Sequence, residues 1–138
     1  MRKLVSVLLS IVMIFSFSFA FADTNLSDMS YDDLIALQRA VVKEIMSRPE
    51  WKEVVVPAGN WVVGVDIPAG TYSIRTEARS CGLTVWRKAI DDYSNNGLYY
   101  NEVIGKDKKD CGKIELSDGM VVCLSNDAIF SPPKSLGF

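Results

Sequence analysis

The sequence predicts a mainly β protein in which one N-terminal helix precedes a small antiparallel β-sandwich or a partly open barrel. Segments rich in β-branched and aromatic residues dominate the chain after residue 50, and short turns containing proline and glycine separate them. Only one segment has helical periodicity. The predicted organisation is a signal peptide (1–22), a flexible leader (23–29), an amphipathic helix (30–48) and an antiparallel β domain with an extended C-terminal tail (49–138).

The first 22 residues have the order of a secretory signal peptide. Arg2 and Lys3 precede an apolar run over residues 4–21, and the small-x-small sequence AFA ends at Ala22. A retained membrane anchor is the alternative, because the apolar run is nearly long enough to span a bilayer. We expect cleavage near Ala22 and a secreted or cell-envelope-associated product.

The composition limits the classes of partner and of site. The formal net charge of the whole chain is −2, and cleavage would remove two basic residues, Arg2 and Lys3. A mildly acidic product without a long basic run argues against a nucleic-acid partner. The chain has no histidine, which excludes Ser/His/Asp and Cys/His nucleophile systems within it. We expect no cofactor, and no metal site because CxxC spacing is also missing.

Capping residues and periodicity together predict the helix. Ser30 is a favourable N-cap, and Pro49 ends the helix. An apolar stripe with helical spacing consists of Leu34, Leu37, Val41 and Ile45. This stripe packs either on the domain's own sheet or against another copy or a partner, since the spacing also suits a short coiled-coil seam.

Two near-copies of one phrase, VPAGNW and IPAGTY, predict tight chain reversals. Pro57 and Pro68 preset φ, and Gly59 and Gly70 are free to take positive φ. We interpret the phrases as the turns of a three-stranded antiparallel meander over residues 51–56, 60–67 and 71–76. Gly64, within the middle strand, indicates a bulge or a close backbone approach.

A third hairpin turn is predicted at Asp118 and Gly119, between strands at 113–116 and 120–124. In this register Cys111 and Cys123 are diagonal neighbours on the outer face, which makes them a candidate disulfide pair. Cys81 is a rival partner for either, and an oxidising compartment would permit one bridge. The residues expected to face the core are Ile114, Leu116, Met120, Val122 and Leu124.

Three segments of the chain resemble a family of short secreted proteins from Gram-positive bacteria. They are the helix YDDLIALQRAVVKEIM, the segment EWKEVVVPAGNWVVGVDIPAGTYSI and the terminal SPPKSLGF. The family has a helix, a PxGxWxVGxDIPAGxYxI core and a closing proline-rich segment that ends in LGF. The resemblance covers nearly all of the chain after the signal and is strongest over residues 51–74. It implies export and a β-rich fold, and it supplies no catalytic or binding residues because no activity is established for that family.

The candidate ligand-binding residues are tyrosines that border a polar loop at residues 91–97. Tyr93, Tyr99 and Tyr100 could offer stacking faces to a sugar or a peptide, or they could be core residues and cross-strand pairs. The loop at residues 92–97 begins like a calcium loop. Its twelfth position is Val103 instead of glutamate, which favours an ordinary Asn-Gly turn.

We expect a secreted or cell-envelope-associated, non-catalytic binding module, with a cell-wall glycan or another envelope protein as its partner. The first alternative is a structural protein that self-associates through the helix stripe. The second is a small hydrolase that uses carboxylates alone. The carboxylates available to it are Asp66, Glu77, Glu102 and Glu115.

Overall fold

The computed structural model describes residues 25–88, 97–105, 108 and 110–133. The predicted signal peptide, most of the polar loop (91–96) and the terminal LGF segment lie outside the described residues. The chain divides after Ala36 into two compact units, and the second unit holds the strands and residues 37–47 of the helix. None of the helices in the described part of the chain has the length and apolar character needed to span a bilayer.

A 3₁₀ helix at Leu26–Asp28, within the predicted leader, precedes the α-helix α1 at Tyr31–Ser47. Ser30 Oγ accepts the backbone N–H of Asp33 at 3.2 Å, which is the contact expected of an N-cap. The strands of the described residues are β1 Val54–Val56, β2 Gly59–Val62, β3 Gly70–Arg75, β4 Ser80–Trp86, β5 Leu98–Gly105, β6 Lys113–Leu116, β7 Val121–Leu124 and β8 Ala128–Ser131.

The strands form two four-stranded antiparallel sheets. Sheet 1 has the strand order β1-β8-β3-β6, and sheet 2 has the order β2-β7-β4-β5. The predicted fold class, mainly β with one helix before an antiparallel sandwich, is confirmed. In the described residues both sheets remain open, and no closed barrel forms.

The predicted three-stranded meander is wrong, because each PAG turn carries the chain from one sheet to the other. β1 and β3 belong to sheet 1 and β2 to sheet 2, and β1 pairs with β8, β2 with β7 and β3 with β6 and β8. Pro57 has no N–H to donate across a hairpin, and the N–H of Ala58 bonds to the carboxylate of Asp127 at 2.9 Å. Gly59 has a φ of +136°, whereas Gly70 begins β3 without a positive φ.

The aromatic residue that ends each PAG phrase turns back into the core. Trp61 and Tyr72 are only 2% and 4% exposed. The indole N–H of Trp61 donates to the carbonyl of Pro57 at 2.9 Å, and the hydroxyl of Tyr72 donates to the carbonyl of Pro68 at 2.5 Å. Each ring thus buries its apolar body while the proline carbonyl satisfies its polar group.

The third predicted hairpin is also wrong, because β6 pairs with β3 in sheet 1 and β7 pairs with β2 and β4 in sheet 2. Asp118 and Gly119 therefore lie in a connection between sheets, where the N–H of Gly119 donates to the carbonyl of Val63 at 3.0 Å. The predicted alternation of core-facing and outward-facing residues in β6 and β7 still holds, because the inner faces of both strands line the space between the sheets. Of the residues expected in the core, Ile114, Leu116, Val122 and Leu124 are buried, and Met120 packs against them.

The core lies between the two sheets, with Tyr72 near its aromatic centre. The Tyr72 ring centroid lies 5.9 Å from that of Phe130 and 6.0 Å from that of Trp51. Among the described residues, no buried side-chain nitrogen or oxygen lacks a hydrogen-bond partner. The largest fully buried side chains are those of Trp61, Phe130, Ile67, Ile74, Leu83, Ile104 and Leu116.

α1 presents to the core a different face from the predicted stripe. Val42 and Met46 are the buried residues of this helix. The stripe is largely exposed, at Leu37 (38%), Val41 (48%) and Ile45 (38%), with Leu34 half-buried. Docking of the stripe on the domain's own sheet is therefore wrong. The periodicity identified an apolar stripe, but a second apolar pair makes the contact with the sandwich.

Arg39 fixes α1 to β2 and to the turn that follows it. Its Nη1 atom donates to the carbonyl of Asn60 and to the carboxylate of Asp66, each at 2.9 Å. The guanidinium carbon lies 4.5 Å from the centroid of the Trp61 ring, within range of a cation–π contact. One side chain thus combines an ion pair, a backbone hydrogen bond and a ring contact.

Gly64 lies in the turn after β2 and not within a strand, as the sequence had placed it, but it does provide a close backbone approach. Its φ is +90°, and a Cβ there would lie 2.7 Å from Oδ1 of Asp118. Its carbonyl accepts a hydrogen bond from Nζ of Lys43 at 3.1 Å, so the glycine also contacts the helix. We call Arg39 and Lys43, with their acceptors at Asn60, Gly64 and Asp66, the helix clasp.

We expect Gly64→Ala to destabilise the protein more than Gly112→Ala. Both glycines have a positive φ, +90° and +72°, so alanine costs roughly 1–2 kcal/mol of backbone strain at either position. Only at Gly64 does the new methyl group also meet Asp118, because nothing lies within 4 Å at Gly112. For Gly64→Ala we expect the free energy of unfolding, measured with urea, to fall by about 2–3 kcal/mol in total. Adding Asp118→Ala should recover the difference, and equal losses at the two glycines would contradict the close approach.

We expect stability to fall in strongly alkaline solution, in part because of Tyr72. Burial raises the pKa of Tyr72 from 10.0 to about 12. Because the folded-state pKa lies above the unfolded one, this contribution is complete below about pH 10 and is lost as the pH rises through about 12. The free energy of unfolding, measured across this range, should decline less steeply in Tyr72→Phe. An identical slope in the variant and the parent would exclude Tyr72 as a source of the decline.

Candidate functional site

A row of small polar side chains crosses the outer face of sheet 2. The strand register places Asn60 beside Cys123, Cys123 beside Thr84, and Thr84 beside Asn101. The hydroxyl of Thr84 donates to Oδ1 of Asn101 at 3.2 Å. Side chains alternate between the faces of a strand, so these residues point away from the core that their neighbours line. We call Asn60, Cys123, Thr84 and Asn101 the polar row.

Aromatic and basic side chains lie beside the polar row, where β4 ends. The register of the β4–β5 ladder shifts between Val85 and Trp86, and bulges of this kind re-aim side chains. Tyr99 is 39% exposed, and the guanidinium carbon of Arg87 lies 5.8 Å from the centroid of its ring. This distance permits a cation–π contact. We call Trp86, Arg87 and Tyr99 the aromatic-basic patch.

Trp86 connects the patch to the polar row through Cys123. Burial raises the pKa of the Cys123 thiol, and a hydrogen bond from the Trp86 side chain lowers it by less, so the net pKa is raised. The thiolate is the nucleophilic form of cysteine. The surroundings of Cys123 therefore favour the unreactive neutral thiol, and this residue contributes to packing of the face.

The structure separates the tyrosines that the sequence singled out. Tyr93 lies outside the described residues. Tyr99 belongs to the outer face, whereas the half-buried Tyr100 donates its hydroxyl to the carboxylate of Glu102 and lies 3.5 Å from the carbonyl of Cys111. Burial raises the pKa of Tyr100. Adjacent residues of one strand face opposite sides, so Tyr99 and Tyr100 do not share a site.

Sequence reasoning missed Trp86 and Arg87 as the neighbours of Tyr99. The signal available was the run Trp86-Arg87-Lys88 at the end of a predicted strand, directly before the polar loop. Lys88 is exposed, as is Arg87. This run places an aromatic ring and two exposed cations at one end of β4.

The predicted Cys111–Cys123 disulfide is not formed, and the described cysteines are free. The prediction depended on a β6–β7 hairpin, whereas these strands belong to different sheets. The N–H of Cys111 bonds to the carbonyl of Ile74 in sheet 1 at 2.9 Å. Cys81, the rival partner, is buried, and its thiol lies 3.2 Å from the carbonyl of Asn126.

The carboxylates named for a hydrolase are dispersed over the fold, and three of them face a cation. Asp66 pairs with Arg39 at 2.9 Å, Glu77 pairs with Arg75, and Glu102 pairs with Lys108. Glu115 lies on β6, opposite Thr71. In the described part of the chain no group of three or more cysteine, aspartate or glutamate residues is arranged to hold a metal ion. The calcium-like loop lies almost wholly outside the described residues.

A groove of about 410 Å³ lies beside sheet 1. Its floor includes Val55 and Ile129, which are paired across β1 and β8. Two of its polar side chains bond to the backbone, since Asp127 accepts from Ala58 at 2.9 Å and Asn126 donates to the carbonyl of Ser80 at 2.7 Å, while a third, Glu77, pairs with Arg75. These contacts hold the first PAG turn and the start of β4, so the polar part of the groove has a structural role.

We expect the protein to carry three free thiols even when it is purified without reductant. Cys81 should react slowest with a thiol reagent because it is buried, and burial also raises the pKa of Cys111 and of Cys123. Intact-mass analysis and thiol titration in denaturant measure the count, and a time course under native conditions gives the order. A mass two protons lighter than the reduced chain would contradict the free-thiol arrangement.

Comparisons of the chain with protein-family models, with curated proteins and with solved structures found no match. The geometry assembles the polar row, which includes Cys123, and the aromatic-basic patch on one open face of sheet 2, and the named carboxylates lie outside both groups. That outer face is the candidate functional site.

Proposed function

We propose that the protein is a secreted or cell-envelope-associated, non-catalytic binding module that binds its ligand on the outer face of sheet 2. The observation that carries this proposal is the exposed ring of Tyr99, with the Arg87 guanidinium 5.8 Å from its centroid, beside a row of uncharged polar side chains. The export signal that the sequence predicts and the resemblance to a family of secreted proteins support the location.

The chemistry of this face suits a glycan of the cell wall. Aromatic rings such as those of Tyr99 and Trp86 stack on the apolar C–H faces of sugars. The amide of Asn101 and the hydroxyl of Thr84 can exchange hydrogen bonds with sugar hydroxyls. Arg87 adds a planar donor that matches a carboxylate or a phosphate, so acidic sugars fit better than neutral ones.

Binding is favoured over hydrolysis because of the surroundings of the acids. A carboxylate-based glycosidase needs two acids that flank one bond, one of them with a raised pKa. Asp66, Glu77 and Glu102 each form an ion pair with a different arginine or lysine. The polar row and the aromatic-basic patch contain no carboxylate, so the proposed site holds no acid of its own.

We expect Tyr99→Ala and Arg87→Gln each to weaken binding to an acidic polysaccharide by about tenfold or more. Truncating Tyr99 removes the stacking surface, and the change at Arg87 removes the cation while keeping a polar side chain. The measurement is titration of the purified protein with polygalacturonate, with neutral N-acetylglucosamine oligosaccharides and with isolated Gram-positive cell walls.

Arg79→Gln is the matched control, because Arg79 is exposed and lies near the other end of β4. It changes the net charge by the same amount as Arg87→Gln and should bind like the parent. Equal weakening by both arginine variants would indicate a non-specific charge effect. Release of sugar fragments from any probe would overturn the non-catalytic proposal.

A further inference from the structure

Helix α1 carries apolar side chains on two sides, and within the described part of the chain only one of these sides is covered. Val42 and Met46 are 4% and 5% exposed, while Leu37, Val41 and Ile45 are 38%, 48% and 38% exposed. An amphipathic surface helix normally has one apolar stripe, which faces the core. The second stripe of α1 therefore contributes little to packing of the sandwich.

The helix clasp prevents the helix from turning its second stripe inward. Arg39 and Lys43 point toward β2 and its following turn, where they bond to Asn60, Asp66 and Gly64. At about 100° per residue, Val41 lies roughly 160° around the helix axis from Arg39. Rotation that buried Val41 would break the ion pair, two hydrogen bonds to carbonyls and the contact with the Trp61 ring.

We propose that the exposed stripe of Leu37, Val41 and Ile45 is the interface of a homodimer, in which the helices of two copies pack antiparallel. The stripe is uniformly aliphatic, so it is complementary to itself, as an interface related by a two-fold axis requires. Its spacing of four residues places the three side chains in one row that can pack against the row of a second helix.

The charges at the ends of α1 select the antiparallel arrangement. The first turn contains Asp32 and Asp33, and Arg48 follows the last residue of the helix. In a parallel pair these like charges would lie at the same level and the helix dipoles would repel. In an antiparallel pair, Arg48 lies at the level of the first turn of the second copy, near its Asp33 and its exposed Tyr31.

Arg48 can make this contact at little cost. Its present partner is Glu44, at 2.6 Å, but the side chains of the two residues are 60% and 63% exposed. Exposed ion pairs of this kind contribute little to stability. Tyr31 is 76% exposed and offers a ring face to a guanidinium group. Exchange of the partner of Arg48 therefore adds contacts to the dimer without a large loss in the monomer.

The area of the stripe indicates a weak dimer. Stable interfaces bury about 800 Å² per partner. The three half-exposed side chains of the stripe, together with Tyr31, can bury a smaller area than this. We expect monomers at low micromolar concentration and a dimer as the concentration approaches about 1 mM. This interaction goes beyond the binding proposed for sheet 2 and does not depend on it.

Sedimentation velocity of the purified protein, from about 10 µM to about 1 mM, tests the dimer. The weight-average sedimentation coefficient should rise with concentration in the parent, and Val41→Glu should abolish the rise. Ala40→Glu is the matched control, because Ala40 is exposed on the same turn but lies about 100° from Val41 around the helix. Circular dichroism verifies that both variants fold. A parent that stays monomeric throughout, or equal effects of the two variants, would overturn the proposal.

Cysteine cross-linking tests the antiparallel orientation separately. In an antiparallel pair centred on Val41, Leu37 of one copy lies level with Ile45 of the other. We expect a mixture of Leu37→Cys and Ile45→Cys proteins to form a covalent dimer on oxidation, well above the level of either variant alone. The parent, treated alike, sets the background from its native cysteines. Cross-linking of each variant with itself at the level of the mixture would show a parallel pair.

Discussion

At both PAG turns the side chain of a buried aromatic residue donates a hydrogen bond to the carbonyl of the proline four residues before it. Trp61 does so to Pro57 and Tyr72 to Pro68. A ring with a donor at its edge can be buried only where that donor is satisfied. The proline carbonyl supplies the acceptor within the same turn, so the ring enters the core as soon as the chain leaves the previous sheet. This local closure lets each turn connect two sheets instead of two neighbouring strands.

The position of the helix follows from the first of these rings. Trp61 lies with one face toward Arg39, whose guanidinium carbon is 4.5 Å from the ring centroid. Arg39 also reaches Asp66, and Asp66 accepts the N–H of Val62 at 2.9 Å. The carboxylate of Asp66 therefore connects the turn after β2 both to the end of that strand and to α1. Because these contacts fix the rotation of α1, they also determine which apolar residues face the core and which remain exposed.

Sequence patterns predicted the fold class and the elements better than the connections between them. Alternating strands, one capped helix and the close approach at Gly64 all follow from local chemistry. The predicted hairpins were wrong. A proline-glycine turn can reverse the chain within one sheet or between two sheets, and its sequence does not distinguish the two cases. Which sheet accepts β2 depends on long-range pairing with β7, a contact that no local pattern encodes.

The candidate site shows the same division. That Tyr99 and Tyr100 face opposite sides was available from strand alternation alone. The neighbours of Tyr99 could not be predicted from the sequence. They depend on the register shift between Val85 and Trp86 and on the pairing of β4 with β7. β2 and β5 are opposite edges of sheet 2, so roughly 14 Å of sheet separates β2, where Arg39 contacts Asn60, from the strand of Tyr99. The exposed stripe lies on the side of α1 opposite Arg39. The proposed dimer would therefore present two outer faces of sheet 2 to a repeating polymer, where linked sites gain avidity.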